Sequence, residues 1–257
     1  MFASLKSEFK KLLTVRSTYI ITALVLLFIA FMSIYVFGYQ QGTDASKIVS
    51  DPKLMMSALY VLFNVLATFA AVVVILLITH EYRYNLINYT LTASKSRLTV
   101  FANKLIVALA YSIVVGLVVT AITYFGVKLG VSLKGNTLAP QELPVLDLLW
   151  KYGSYLLGTV LFAAFIAFLV RGVVGAIVAF FIFPVVEQML SLVLKDNADY
   201  LPFKALDAIG NSGISGAVAA PMSNLTSLVA LGVVAVYLVV VGAVTAVLFI
   251  RRDSSAS

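Results

Sequence analysis

The sequence predicts an all-α membrane protein with six transmembrane helices and both termini cytoplasmic. Of its 257 residues 62% are hydrophobic and 11% charged, whereas soluble domains run near half apolar and a quarter charged. The apolar residues fall in six blocks, 17–39, 57–79, 104–127, 148–170, 172–194 and 226–250. Each is long enough to cross a hydrocarbon core of roughly 30 Å. Backbone groups in lipid must be satisfied within a helix or a closed barrel, and these blocks are too long for barrel strands. They are helices. Basic residues supply the third observation. The N-terminal segment, the second and fourth connections and the C-terminal segment hold 11 of the 18 Lys and Arg, with only Glu8, Glu81 and Asp253 as acids, for a net +8; the other side nets −1. Lys and Arg on short loops mark the cytoplasmic side, so the overall +7 is a topology signal and predicts no nucleic-acid partner.

The elements follow in order. Residues 1–16 predict an amphipathic helix lying in the membrane interface: Phe2, Leu5, Phe9, Leu12 and Leu13 share one arc, while Ser7, Lys10 and Lys11 lie opposite. Lys6, Lys10 and Lys11 are expected to meet anionic headgroups, with Phe9 on the lipid side, and the helix could also touch a cytoplasmic partner. The first span exceeds the usual signal-peptide core of 7–15 residues and no A-x-A-like site follows it, so it is expected to remain in the mature chain. Between spans 1 and 2, QQGTDASKIVSDPK reads as a connector. Residues 80–103 form a cytoplasmic loop longer than adjacent helices need. Its Leu86, Tyr89 and Leu91 make an apolar side, and Arg83, Asn85 and Asn88 a polar one, which predicts a short helix parallel to the membrane. In residues 128–147, Gly130, Gly135, Pro140 and Pro144 argue against a long helix. The outer segment 195–225 is half apolar, and Leu201, Phe203, Leu206 and Ile209 suit short helices dipping into the interface, a re-entrant-like arrangement. The whole of 1–257 reads as one domain.

Several chemistries lack their residues. There is no cysteine and one histidine, His80. HEYRYN opens like a zinc-protease helix but has Tyr84 where the second histidine belongs, so no transition-metal site is expected. GISG at 213–216 resembles a rhomboid-type serine motif, yet Ser215 and His80 fall at opposite membrane faces, and a general base must approach to about 3 Å. No catalytic residues are assigned. A G-x-x-x-x-G-K-[ST] phosphate loop is missing, so any ATP used must bind a separate subunit. Few ionisable groups occupy the spans. The polar exceptions are Asn64 and Thr68 in the second, Thr120 and Thr123 in the third, and Glu187 and Gln188 in the fifth. Asn64 and Thr68 share a face and could serve helix contact or line a path. Glu187, just beyond Pro184, should face the protein or a wet cavity near the outer third of its helix.

The order of residues in 81–104 resembles the segment between the second and third spans of ABC-2 type permeases, the membrane subunits of many bacterial ABC exporters. In that family a glutamate ends the second span, and a glycine–threonine pair follows four residues later. A leucine-rich turn, a proline, a serine–arginine pair and a lysine at the third span come next. Here Glu81, Ser96 with Arg97, and Lys104 stand at those places without a gap, while Asn85 and Leu86 replace the glycine–threonine pair and Ser94 the proline. The resemblance implies that 80–103 is a coupling helix on an ABC ATP-binding subunit, engaged through Glu81, Tyr84, Asn85, Asn88, Ser96, Arg97 and Lys104. It implies ATP and Mg on that subunit and no cofactor or enzymatic activity on this chain. A second copy or a paralogue would complete the substrate path, in the plasma membrane of a bacterium. Glu81 is expected to pair with a cation such as Arg97. Two other classes remain open on the residues: a membrane anchor or sensor without a path, and a self-sufficient channel or carrier, which would need more polar groups inside its spans.

Overall fold

In the computed structural model, which describes residues 2–39, 52–84, 86–87, 89, 96–133, 145–211 and 225–251, the apolar blocks are helices. They are α2 (Arg16–Gly38), α3 (Pro52–Arg83), α4 (Arg97–Leu133), α5 (Gly153–Val170), α6 (Val173–Leu194) and α8 (Ser227–Arg251). All six are long and apolar enough to cross a membrane. The amphipathic α1 (Phe2–Thr14) precedes them, and the short α7 (Pro202–Asn211) sits between α6 and α8. No strand occurs among the described residues.

Two helices form the centre. Within their apolar windows α3 and α5 are 61% and 67% buried, against 11% for α6 and 17% for α8. The outer helices pack around this pair and leave Val, Leu, Ile and Phe exposed around the bundle, as a surface that meets hydrocarbon or further helices does. The sixfold, multi-pass membrane architecture follows from that inversion.

The third span begins earlier than predicted. Its helix starts at Arg97, because Ser96 accepts the Thr99 N–H at 3.2 Å as an N-cap. Lys104, expected at the opening of the span, therefore lies two turns inside α4 and is fully buried. The fourth span is entered through a π-helical turn, Leu148–Tyr152. The outer segment opens with a 3-10 turn, Lys195–Tyr200, before α7. Leu206 and Ile209 of α7 are buried against the bundle, while Leu201 and Phe203 are half-buried. Residues 40–51, 134–144 and 212–224 lie outside the described residues, and with them most of the expected connector, most of the glycine–proline loop and the GISG motif. Gly130, expected to argue against a long helix, lies inside α4, which runs on to Leu133, and Pro52 and Lys53 of the connector open α3.

The contact of α2 with α4 depends on glycine. Gly126 and Gly130 lie one turn apart, a small-xxx-small spacing that lets helix backbones approach. A Cβ on Gly126 would lie 2.0 Å from Ser33 Oγ, and one on Gly130 would lie 2.9 Å from the Ile34 carbonyl oxygen. Neither space exists. Lower on the same interface Thr22 Oγ1 and Tyr111 Oη share a hydrogen bond of 2.8 Å. Gly130→Val should force α2 away from α4 and cost about 1–3 kcal/mol, the usual penalty of overpacking. Thermal unfolding in detergent checks this, and an unchanged midpoint contradicts the close approach.

Candidate functional site

At the end of the bundle that carries α1, four charged side chains converge from three segments. Glu8 and Lys11 are three residues apart on α1, a spacing that puts both on one face. Glu81 comes from the last turn of α3 and Lys104 from the second turn of α4. Lys11 Nζ lies 2.7 Å from Glu8 Oε1 and 2.7 Å from Glu81 Oε1. Lys104 Nζ lies 3.2 Å from Glu8 Oε2 and 2.7 Å from Glu81 Oε1. Each ammonium is shared by two carboxylates and each carboxylate by two ammoniums. The quartet is neutral. Its side chains are 0% exposed for Lys104, 3% for Glu8 and 6% for Glu81, while Lys11 keeps 33% and forms the solvent-facing corner.

Such depth is tolerable only because the charges alternate: an isolated buried ion loses several kcal/mol of hydration. Burial by itself would lower the pKa of Lys11. The hydrogen bonds from Lys11 to Glu8 and Glu81, and their charges, outweigh it and hold the ammonium above its usual value of 10.5. This overturns one detail of the sequence reading. Lys11 was expected on the headgroup face of α1, but it turns inward with Glu8, while Lys6 and Lys10 are exposed and Phe9 is half-buried.

Other contacts tie the same end together. Arg97, expected beside Glu81, donates from Nη1 to the Ile250 carbonyl at 3.1 Å and so caps the C-terminus of α8. Phe101 of α4, Phe168 of α5 and Phe249 of α8 pack as a ring trio with centroids 4.8 to 5.9 Å apart. Arg171, in the turn between α5 and α6, adopts φ 62 and places its guanidinium 5.6 Å from the Tyr82 ring centroid. Past Glu81 the chain turns outward. Tyr84 is 61% exposed and Tyr89 74%, with Leu86 also exposed, whereas Ile87 is buried and anchors the segment. Arg83 lies over the Tyr84 ring at 5.6 Å. Asn85, Asn88 and Ser94 lie outside the described residues.

The remaining expected residues gather at the opposite end. Asn64 donates from Nδ2 to Tyr155 Oη at 2.7 Å, and Thr68 donates to the Asn64 carbonyl at 3.0 Å. Asn64 is thus engaged in helix contact. The Glu187 carboxylate accepts the backbone N–H groups of Phe203 at 2.9 Å and Lys204 at 3.2 Å, which satisfies orphan donors at the N-terminus of α7. Its neighbour Gln188 is exposed on α6. Asp207 of α7 accepts the Tyr60 hydroxyl at 2.8 Å. Sequence reasoning missed Glu8, Asp207, Tyr60 and Tyr155. Only Glu8 carried a signal: it is the one acid of α1, and it stands three residues from a lysine. Among the described residues no group of three or more His, Cys, Asp or Glu side chains converges as a metal site would require.

The class defined by these features is a multi-pass helical membrane protein whose N-terminal helix is ion-paired to the bundle. Residues 19–255 match the family described as Protein of unknown function (DUF2705), and the chain belongs to that family. The matched residues include Glu81 and Lys104 but begin after Glu8 and Lys11. No curated protein matches the chain.

Two outcomes test this geometry. Removing Lys104 leaves two buried carboxylates sharing one ammonium, so Lys104→Met should destabilise the fold by about 3–5 kcal/mol. Adding Glu81→Gln restores neutrality, and the double variant should lose less than the sum of the two single changes in thermal unfolding. The second concerns pH. Burial pushes the Asp207 carboxyl from its ordinary 3.8 up to about 6, against the opposing effects of the Tyr60 hydrogen bond and Lys204. A folded-state pKa raised in this way favours the protonated form, so its contribution to docking α7 is full below 3.8 and lost as pH rises through about 6. Amides of 202–211, corrected for intrinsic exchange, should be better protected at about pH 5 than at about pH 7.5. Asp207→Asn should reduce the difference, and what remains belongs to the Glu187 carboxylate at the first amides of α7.

Proposed function

We propose that this chain is the permease subunit of an ATP-driven exporter of the ABC-2 type. The observation that supports this most is the charge quartet beside an outward-turned aromatic segment. Tyr84, Leu86 and Tyr89 offer two rings and an aliphatic group within six residues, the kind of anchor that a protein interface uses. Immediately behind them Glu81 is bonded to α1 and, through Lys104, to α4. A force applied to the aromatic segment therefore reaches three segments at once. A soluble ATPase closing on ATP and Mg supplies such a force, and this chain needs no nucleotide site of its own. In this reading the α1 end faces the cytoplasm of a bacterium, as the basic residues favour, and a second copy or paralogue completes the path.

The test is to look for a phosphate-loop ATPase encoded beside this chain and to reconstitute the two together. The purified chain alone should hydrolyse no ATP, and the pair should show hydrolysis that depends on both. Tyr84→Ala should weaken assembly by a few kcal/mol at most, the scale of a single aromatic anchor, and leave the unfolding temperature unchanged. Hydrolysis by the lone chain, or no assembly with any phosphate-loop protein, would overturn the reading and leave a membrane anchor or sensor in its place.

A further inference from the structure

A cleft of about 200 Å³ lies between α3, α4 and the start of α5, in the half of the bundle away from α1. Its walls include Phe63, Gly116, Leu117, Trp150, Gly153 and Leu157. Two of the lining residues, Ile113 and Leu117, are about half exposed on the outer face of α4, which puts the cleft at the surface of the bundle there. The lining hydroxyls of Ser112 and Thr120 are spent on their own helix: Ser112 Oγ donates to the Ala108 carbonyl at 2.9 Å and Thr120 Oγ1 to the Gly116 carbonyl at 2.8 Å. Polar demand from those two positions is met. The volume is below the roughly 300–1,000 Å³ of sites that take drug-sized molecules, which suits a slender chain better than a bulky compound.

Local backbone makes this space. The π-helical turn Leu148–Tyr152 carries Trp150 into the wall and feeds α5, and single π turns recur at functional sites. Gly153 follows, where a Cβ would meet nothing within 4 Å. The space is therefore open at that residue, not closed by a neighbour. Trp150 is the sole tryptophan of the chain, and Lys151 is next to it. An indole and an ammonium at a helix end suit the level of lipid headgroups.

We propose that this cleft holds one acyl chain of an anionic phospholipid, with the headgroup phosphate at the level of Trp150 and Lys151. The proposal rests on the membrane-spanning reading and is independent of export. Hydrocarbon surrounds the opening, so an acyl chain reaches it without crossing water, and Lys151 selects for a negative headgroup.

Full-length protein in phosphatidylglycerol–phosphatidylethanolamine vesicles, containing phosphatidylglycerol with an acyl-chain diazirine, tests this. After photolysis, adducts should concentrate on 112–120 and 149–157 above the level on the exposed face of α8. Gly153→Leu fills the cleft and should abolish those adducts while leaving the α8 adducts in place; Gly153→Ala should reduce them partially. Gly232→Leu, at an α8 position where a Cβ also meets nothing within 4 Å, should leave them unchanged. Lys151→Gln should remove the preference for the anionic probe over a phosphatidylethanolamine probe. Adducts spread evenly over all exposed faces, or unaffected by Gly153→Leu, would overturn the proposal. So would labelling by a diazirine alkane but not by the phospholipid, which would reassign the cleft to an apolar cargo.

Discussion

Glu81 and Lys104 meet at 2.7 Å in a region with almost no access to water, and neither charge could remain there alone. The α1 helix completes the coordination of both, contributing one acid to Lys104 and one base to Glu81. That constraint orders much of what surrounds it. The amphipathic helix cannot float freely on the interface, because two of its side chains are needed inside. The last turn of α3 and the second turn of α4 are held at one separation, and the segment between them leaves the bundle at a defined place. A buried ion pair is weak evidence for stability, since well-packed apolar groups often serve as well. It is better evidence for register, because a slip of one residue in any of the three segments leaves a bare charge.

The two ends of the bundle are built from different chemistry. The α1 end uses full charges, an arginine on a helix C-terminus and a trio of phenylalanines. The far end uses hydroxyls, an amide and two carboxylates that hold α7 onto α3 and α6. Between them lies a middle zone of apolar packing, where α3 and α5 are the shared wall for the other spans. Toward the far end of α4 close approach is set by missing side chains, as at Gly126 and Gly130 against α2. Helices packed through lipid have no hydrophobic force to draw them together, so small residues and polar ties matter more than in water.

Span number and rough boundaries were legible in the sequence because length and apolarity alone decide them. The start of α4 was not. LTVFAN reads as part of a polar loop until Ser96 is seen to cap it, and that shift moves Lys104 from the membrane boundary to the interior. Glu81 was singled out through the resemblance carried by residues 81–104, and in the structure it is bonded to Lys11 and Lys104. These two cations lie 70 and 23 residues away, beyond the reach of any local pattern. Glu187 was expected to face the protein or a wet cavity; it is buried on the first amides of α7, a role that could not be read because its partners are backbone groups and carry no residue signature. Asp207 was invisible for the same kind of reason: an acid in a mostly polar outer segment looks solvated until a tyrosine from another span covers it.

The lightly packed α6 has a mechanical consequence. It begins at the Arg171–Gly172 turn, where Arg171 rests on Tyr82, the residue after Glu81. About 22 Å further along, at 1.5 Å per residue, Glu187 grips the first amides of α7. Few residues between those points are buried, so the helix is a rod with a pivot at one end and a load at the other. Pro184, three residues before the load, removes one backbone hydrogen bond and gives the rod a compliant neck. A tilt of α6 would therefore reach α7 through the Glu187 carboxylate and the two amides that it holds.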